Sequence, residues 1–269
     1  MAADIRAGGA STPPFDASAA LGLATTLPLA RVGLIIPSSN RMSEPQFQRF
    51  APPGLAIHTT RLRMTGPWKK PQAALHADII AAAGALADSR VDLIVFHCTG
   101  TSMEEGPEAD QAITAMIARE TGTPSISTGQ AVIEALLALR INRLVLISPY
   151  VQATNDHERA YLSDLDFEVL HDVALGLSGG NQYITVPPER WVAITREAAR
   201  DAADGYFLSC TNTTQIGAIA PLEAALGKPV VNSNQATLWA CCWRLSGKLG
   251  AMPSHPALGR LFTLGRTAG

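Results

Sequence analysis

One strand-like run occurs twice in this chain. Arg31-Val-Gly-Leu-Ile-Ile-Pro37 returns as Arg143-Leu-Val-Leu-Ile-Ser-Pro149, and the same offset of 112 positions carries Cys98 onto Cys210. A further pair, Gly122-Thr-Pro-Ser-Ile-Ser-Thr128 and Gly227-Lys-Pro-Val-Val-Asn-Ser233, matches at offset 105, so a few residues were lost in between. A repeat of this kind is one supersecondary unit used twice. Each run is short and continuously apolar, as a strand buried on both faces must be.

Within each copy, strands alternate with helical stretches. After the run ending at Pro37, Asn40 to Phe50 reads as a loop and short helix, and Leu55 to Leu62 as a second strand. A loop spans Pro67 to Pro71. Pro71 to Asp88 is alanine-rich, with Leu75, Ile79, Ile80 and Leu86 at helical spacing. Leu93 to Phe96 is a third strand, Cys98 to Gly106 its exit loop, and Ala109 to Thr121 a helix stopped by Gly122 and Pro124. A short strand at Ser125 to Ser127 and a helix at Ala131 to Leu139 complete the first copy. Near the end, Gln235 to Leu245 reads as a helix carrying Trp239 and Trp243 at i, i+4. The expected fold is α/β, with two pseudo-symmetric Rossmann-like parallel-sheet domains facing across a central cleft. The expected division is a flexible tail at 1–29, a first half at 30–139 with 236–269, and a second half at 140–235.

Composition narrows the function classes. A net charge of −2 over 269 residues gives no basic face for nucleic acid. No apolar run reaches the roughly 18 residues that span a bilayer, so no membrane partner is expected. The four cysteines (98, 210, 241 and 242) form no CxxC pair and no disulfide framework, which fits a reducing cytoplasm. Zinc spacing, a Walker loop and GxGxxG are all missing, so neither metal nor cofactor is implied.

The chemistry concentrates at the strand ends. Asp92-Leu-Ile-Val-Phe-His-Cys98-Thr-Gly and Asp204-Gly-Tyr-Phe-Leu-Ser-Cys210-Thr-Asn each run a buried strand into a cysteine followed by small residues. Ligands of open parallel sheets bind outside the carboxyl ends of strands, so two facing halves bring both thiols to one cleft. A thiolate requires a depressed pKa, supplied by backbone N–H groups and helix N-termini. Thr99, Gly100, Thr211 and Asn212 let such groups converge on an anion, and a carboxylate fits that kind of nest. Asn40 and Tyr150, at the ends of the repeated runs, and Asn181, in the turn-rich Gly176–Asn181 link, are candidate donors to the same anion. His97 points to the opposite face from Cys98 and reads as a packing or surface histidine. Cys241 and Cys242 read as core.

These residues resemble the aspartate/glutamate racemase superfamily, and within it the maleate cis-trans isomerases and arylmalonate decarboxylases. The resemblance covers about residues 30–265. It is carried by Val32-Gly-Leu-Ile-Ile-Pro-Ser-Ser-Asn40, the Cys98 loop, Ser148-Pro-Tyr150, Leu208-Ser-Cys210 and Gly227-Lys-Pro-Val-Val231. It implies a small carboxylate substrate, enclosed between two α/β domains without metal or cofactor, and a homodimer. Arylmalonate decarboxylases keep only the second-half cysteine, whereas the isomerases and racemases keep both. Asn40, Tyr150 and Asn181 stand where maleate isomerases carry the same residue types. The loops at 99–105 and 211–215 depart from those isomerases, and residues 210–247 are close to the decarboxylase branch.

The resemblance thus implies a two-cysteine, cofactor-independent cis-trans isomerase taking maleate to fumarate, with Cys98 and Cys210 catalytic. Asn40, Thr99, Gly100, Tyr150, Asn181, Thr211 and Asn212 would bind substrate. The alternatives are a two-thiol racemase of an amino acid or 2-substituted acid, a decarboxylase using Cys210 alone, and a non-catalytic carboxylate-binding protein.

Overall fold

A computed structural model of the chain describes residues 27–250, 252 and 255–264. Most of the tail expected at 1–29 therefore lies outside the described residues. Strands β1 (Ala30–Pro37), β2 (Leu55–Leu62), β3 (Leu93–Phe96) and β4 (Ser125–Ser127) form one parallel sheet in the order β2-β1-β3-β4. Strands β5 (Arg143–Ser148), β6 (Glu168–Ala174), β7 (Gly205–Leu208) and β8 (Val230–Asn232) form a second, in the order β6-β5-β7-β8. The two orders are one topology used twice, as the repeat requires. Register repeats with it: Val32 pairs with Leu93, and at the matching place Leu144 pairs with Gly205.

Strand faces sort the core. On β1, Val32, Leu34 and Ile36 join the large cluster that runs between the two sheets. Ile35 turns to the smaller cluster under helices α2 (Gln72–Asp88) and α4 (Pro107–Thr121). On β3, Leu93 and Val95 follow the first face, Ile94 and Phe96 the second. Both faces are covered, so both strands are apolar throughout. The remaining helices are, in chain order, α1 (Ser43–Phe50), α3 (Thr99–Met103), α5 (Thr128–Ala138), α6 (Gln152–Ser163), α7 (Gly180–Tyr183), α8 (Pro188–Glu197), α9 (Ile219–Leu226), α10 (Ser233–Arg244) and α11 (Ser246–Leu249).

Helices α5 and α10 pack against each other at the centre of the molecule. Each opens on a capping box. Ser127 Oγ accepts from the Gln130 N–H at 3.0 Å, and the Asn232 side chain accepts from Asn234 and Gln235. Reciprocal capping satisfies helix-end donors that would otherwise be buried unpaired. It also explains why α5 begins at Thr128, three residues earlier than the sequence indicates. Cys241 and Cys242 are buried on α10, where Trp239 and Trp243 stack at 5.6 Å.

The exit loop expected at Cys98–Gly106 is instead the short helix α3. The second copy has no such helix; residues 211–214 bend and lead into a 3₁₀ turn at Gln215–Ala218. Among the described residues no helix is long and apolar enough to cross a membrane. Gly205 opens β7 where an added Cβ would lie 2.6 Å from Ile141 Cδ1 and 2.9 Å from the Pro229 carbonyl oxygen. A backbone oxygen cannot swing away, so Gly205→Ala is expected to cost about 1–3 kcal/mol by overpacking, read as a lowered urea midpoint at unchanged m-value.

Candidate active site

The carboxyl ends of β1, β3, β5 and β7 converge on one cavity of about 460 Å³. Its wall includes Asn40, Cys98, Gly100, Tyr150, Asn181, Cys210, Thr211 and Asn212. Eight of the nine residues picked from the sequence thus line one space. Thr99 does not: it is buried, and its hydroxyl turns away to Ser233.

The two thiols are held differently. Cys98 is the N-cap of α3 in extended conformation, and its Sγ donates to Thr101 Oγ1 at 3.2 Å. Cys210 has φ of 107°, a region that favours glycine. Strain of this kind persists only where surrounding bonds over-determine the backbone. Here the Cys210 N–H donates to Ser233 Oγ at 3.1 Å, and the Asn212 N–H donates to Cys210 Sγ at 3.3 Å. Thr99 Oγ1 donates to the same Ser233 oxygen at 2.9 Å. One hydroxyl at the start of α10 therefore ties both cysteine-bearing turns together.

A buried polar seam extends this tie. Asn40 Nδ2 donates to Thr211 Oγ1 (3.0 Å) and Ser43 Oγ (2.9 Å), while its Oδ1 accepts from the Met42 and Ser43 N–H groups. The Asn40 Nδ2 thus holds the Cys210 turn, while its Oδ1 holds the start of α1. Asn234 Nδ2 donates to the Thr211 carbonyl (2.9 Å) and to Gln46 Oε1 (2.6 Å). His97 is fully buried, with Nε2 2.9 Å from Asn234 Oδ1 and Nδ1 2.8 Å from Thr128 Oγ1. Burial lowers its pKa to about 4, so it is a neutral structural link. Of the two readings of His97, packing holds and surface does not.

At the mouth, the Arg41 N–H donates to Asn212 Oδ1 (2.9 Å), and Asn212 Nδ2 donates to the Gly180 carbonyl (3.2 Å). Arg41 Nη2 donates to Asn181 Oδ1 at 2.7 Å. Met64, Pro67 and Trp68 add an apolar side, with Lys69 ion-paired to Glu104 at 2.6 Å.

Electrostatically the cavity disfavours charge. Burial raises the Cys98 thiol, and the Thr101 bonds oppose it without cancelling it. Burial pushes Cys210 up to about 12 against the donors Tyr150 and Asn212. The sequence expectation of depressed thiol pKa values is therefore corrected: desolvation outweighs the backbone nest, and both thiols rest protonated. Tyr150 lies edge-on to Tyr183 at 5.6 Å, and burial raises both phenols, so both remain neutral donors. Among the described residues no cluster of His, Cys, Asp or Glu could hold a metal ion.

Sequence reasoning missed Ser233, Asn234, Tyr183 and Glu158. Ser233 carried a signal, since the 105-residue offset places it opposite Thr128 at a strand end. Tyr183 sits two residues past Asn181. Glu158 carried none, because helix α6 was not read from the sequence.

The sequence model of the family described as arylmalonate decarboxylase matches residues 32–262. The chain belongs to the arylmalonate decarboxylase family. Arylmalonate decarboxylase of Bordetella bronchiseptica is 32% identical over 167 residues, 61% of this chain and 68% of that one. A maleate isomerase of Pseudomonas putida is 27% identical over 248 residues, 87% of this chain and 98% of that one. The crystal structure of a cysteine-to-alanine variant of the maleate isomerase Iso from Pseudomonas putida S16, solved with maleate, superposes with TM-score 0.80 at 26% identity. It matches 87% of this chain and 97% of its own. Family membership makes this chain a relative of both isomerases and decarboxylases, on a shared fold.

Removing the Ser233 hydroxyl leaves the Cys210 N–H without its buried partner. Ser233→Ala is therefore expected to cost about 1–3 kcal/mol, measured by urea denaturation, with unchanged far-ultraviolet circular dichroism.

Proposed function

We propose that this protein is a cofactor-independent cis-trans isomerase of a small cis-dicarboxylate, with maleate to fumarate as the reference reaction. The observation that carries the reading is the pair of thiols at equivalent strand ends, lining one cavity from opposite halves. The maleate isomerase relatives, which align along nearly their whole length, support it.

In this reading the Cys98 proton passes to a carboxylate of the arriving dicarboxylate, which returns it when the sulfur is expelled at the end, and the resulting thiolate adds to one alkene carbon. The C–S bond forms as the π pair moves to the neighbouring carbon, where Cys210 S–H delivers a proton. The C–C bond, now single, rotates. The Cys210 thiolate then removes a proton from the same carbon, the double bond reforms in the trans geometry, and Cys98 is expelled. Thr101 stabilises the first sulfur anion, and Tyr150 and Asn212 the second. Backbone N–H groups of the Thr99–Gly100 turn and of Thr211 stabilise the carboxylate while charge builds on it. Oxyanion donors of this kind are worth about 3 kcal/mol each. Asn181 is a further donor at the mouth, whereas Asn40 acts by fixing the Thr211 turn.

A second reading, decarboxylation of a disubstituted malonate with Cys210 alone as proton donor, is favoured by the 32% identity to arylmalonate decarboxylase. The two readings separate at Cys98. Cys98→Ala and Cys210→Ala are each expected to abolish maleate–fumarate interconversion, followed by proton NMR in heavy water. Near wild-type turnover in either single variant would sink the two-thiol mechanism. Carbon dioxide release from an arylmalonate that survives in Cys98→Gly would select the decarboxylase.

A further inference from the structure

Glu158 is a buried carboxyl that the mechanism above does not use. It sits on α6 one helical turn beyond Thr154, which lines the cavity, and it has no solvent exposure. Ser209 Oγ donates to its Oε1 at 2.7 Å, and Ser209 is the residue before Cys210. Its Oε2 is buried with no hydrogen-bond partner. A carboxylate buried without a cation is costly, and none of the causes that set its protonation is a cation. On α6 and β6, Arg159 is paired with Asp172 at 3.3 Å. Asp110, on α4, is taken up by Ser127 and by Tyr161. The titratable groups that feel Glu158 are Cys98, Cys210, Tyr150 and Tyr183, the four that ring the reacting space.

We propose that Glu158 is a positioning residue for the thiol pair. It holds the Cys210 turn through Ser209, and its neutral form keeps the buried surroundings of Cys98 and Cys210 free of a negative charge that would oppose thiolate formation there.

Burial raises the Glu158 carboxyl to about 8, with the Ser209 bond opposing the rise. Below that pH the group is neutral and the thiols meet only the desolvation already described. Above it, the new charge raises both thiols further. The protein therefore loses through Glu158 part of the thiolate that rising pH would otherwise supply. The charge acts through space, so the carboxyl need not touch substrate.

The test is site-resolved alkylation of Cys98 and Cys210 by iodoacetamide, read by peptide mass spectrometry between pH 6.5 and 9.5. This readout needs no substrate, so it stands whether or not the isomerase reading does. Glu158→Gln is expected to match the wild type at pH 6.5 and to alkylate faster at pH 9.5, on the order of ten-fold for one unit of thiol pKa. Ser209→Ala keeps the carboxyl but removes the bond that favours its charged form. It is expected to move the pH at which wild-type alkylation falls behind upward. Profiles that superpose on the wild type overturn the proposal. So does equal acceleration at both pH values, which reports loosening of the turn without a charge effect. If Glu158→Gln does not fold, the Ser209→Ala profile decides alone.

Discussion

The Ser233 hydroxyl accepts from Thr99 Oγ1 and from the Cys210 backbone N–H at once. The two cysteine-bearing turns belong to different sheets and are 112 residues apart, yet they share one oxygen atom. Around that oxygen, Asn40, Gln46, His97, Thr211 and Asn234 form a fully buried hydrogen-bonded seam. Buried polar groups are tolerable only when they are paired, so the seam admits few alternative geometries. That stiffness holds Cys210 at φ 107° and keeps both sulfurs on the same cavity.

Desolvation sets the chemistry that the seam supports. The same burial that pairs the polar groups also raises Cys98, Cys210, Tyr150, Tyr183 and Glu158. A site that keeps its own side chains neutral spares its few anion-stabilising groups for an arriving carboxylate. Apolar Met64, Pro67 and Trp68 line one side of the cavity beside the Lys69–Glu104 pair.

The sequence was most legible where a residue repeats. The offset of 112 places β5 on β1 and Cys210 on Cys98, and the offset of 105 places the cap of α10 on that of α5. It was least legible where the copies diverge. Helix α3 follows Cys98, but only bends follow Cys210, and neither composition nor spacing distinguishes those outcomes. The thiol pKa values also ran against expectation. A run of small residues announces backbone donors, but how deeply the sulfur is buried depends on what the opposite half packs over it.

Apolar continuity and the internal repeat, both local and countable, by themselves determined two parallel α/β sheets with thiols at matching strand ends. Only the tertiary structure decided that Asn40 ties a turn, that Thr99 faces away from the cavity, and that Ser233 and Glu158 stand behind the sulfurs. The reason is that hydrogen-bond partners and desolvation depend on distances between segments about 50 to 190 residues apart, and no local pattern encodes such distances.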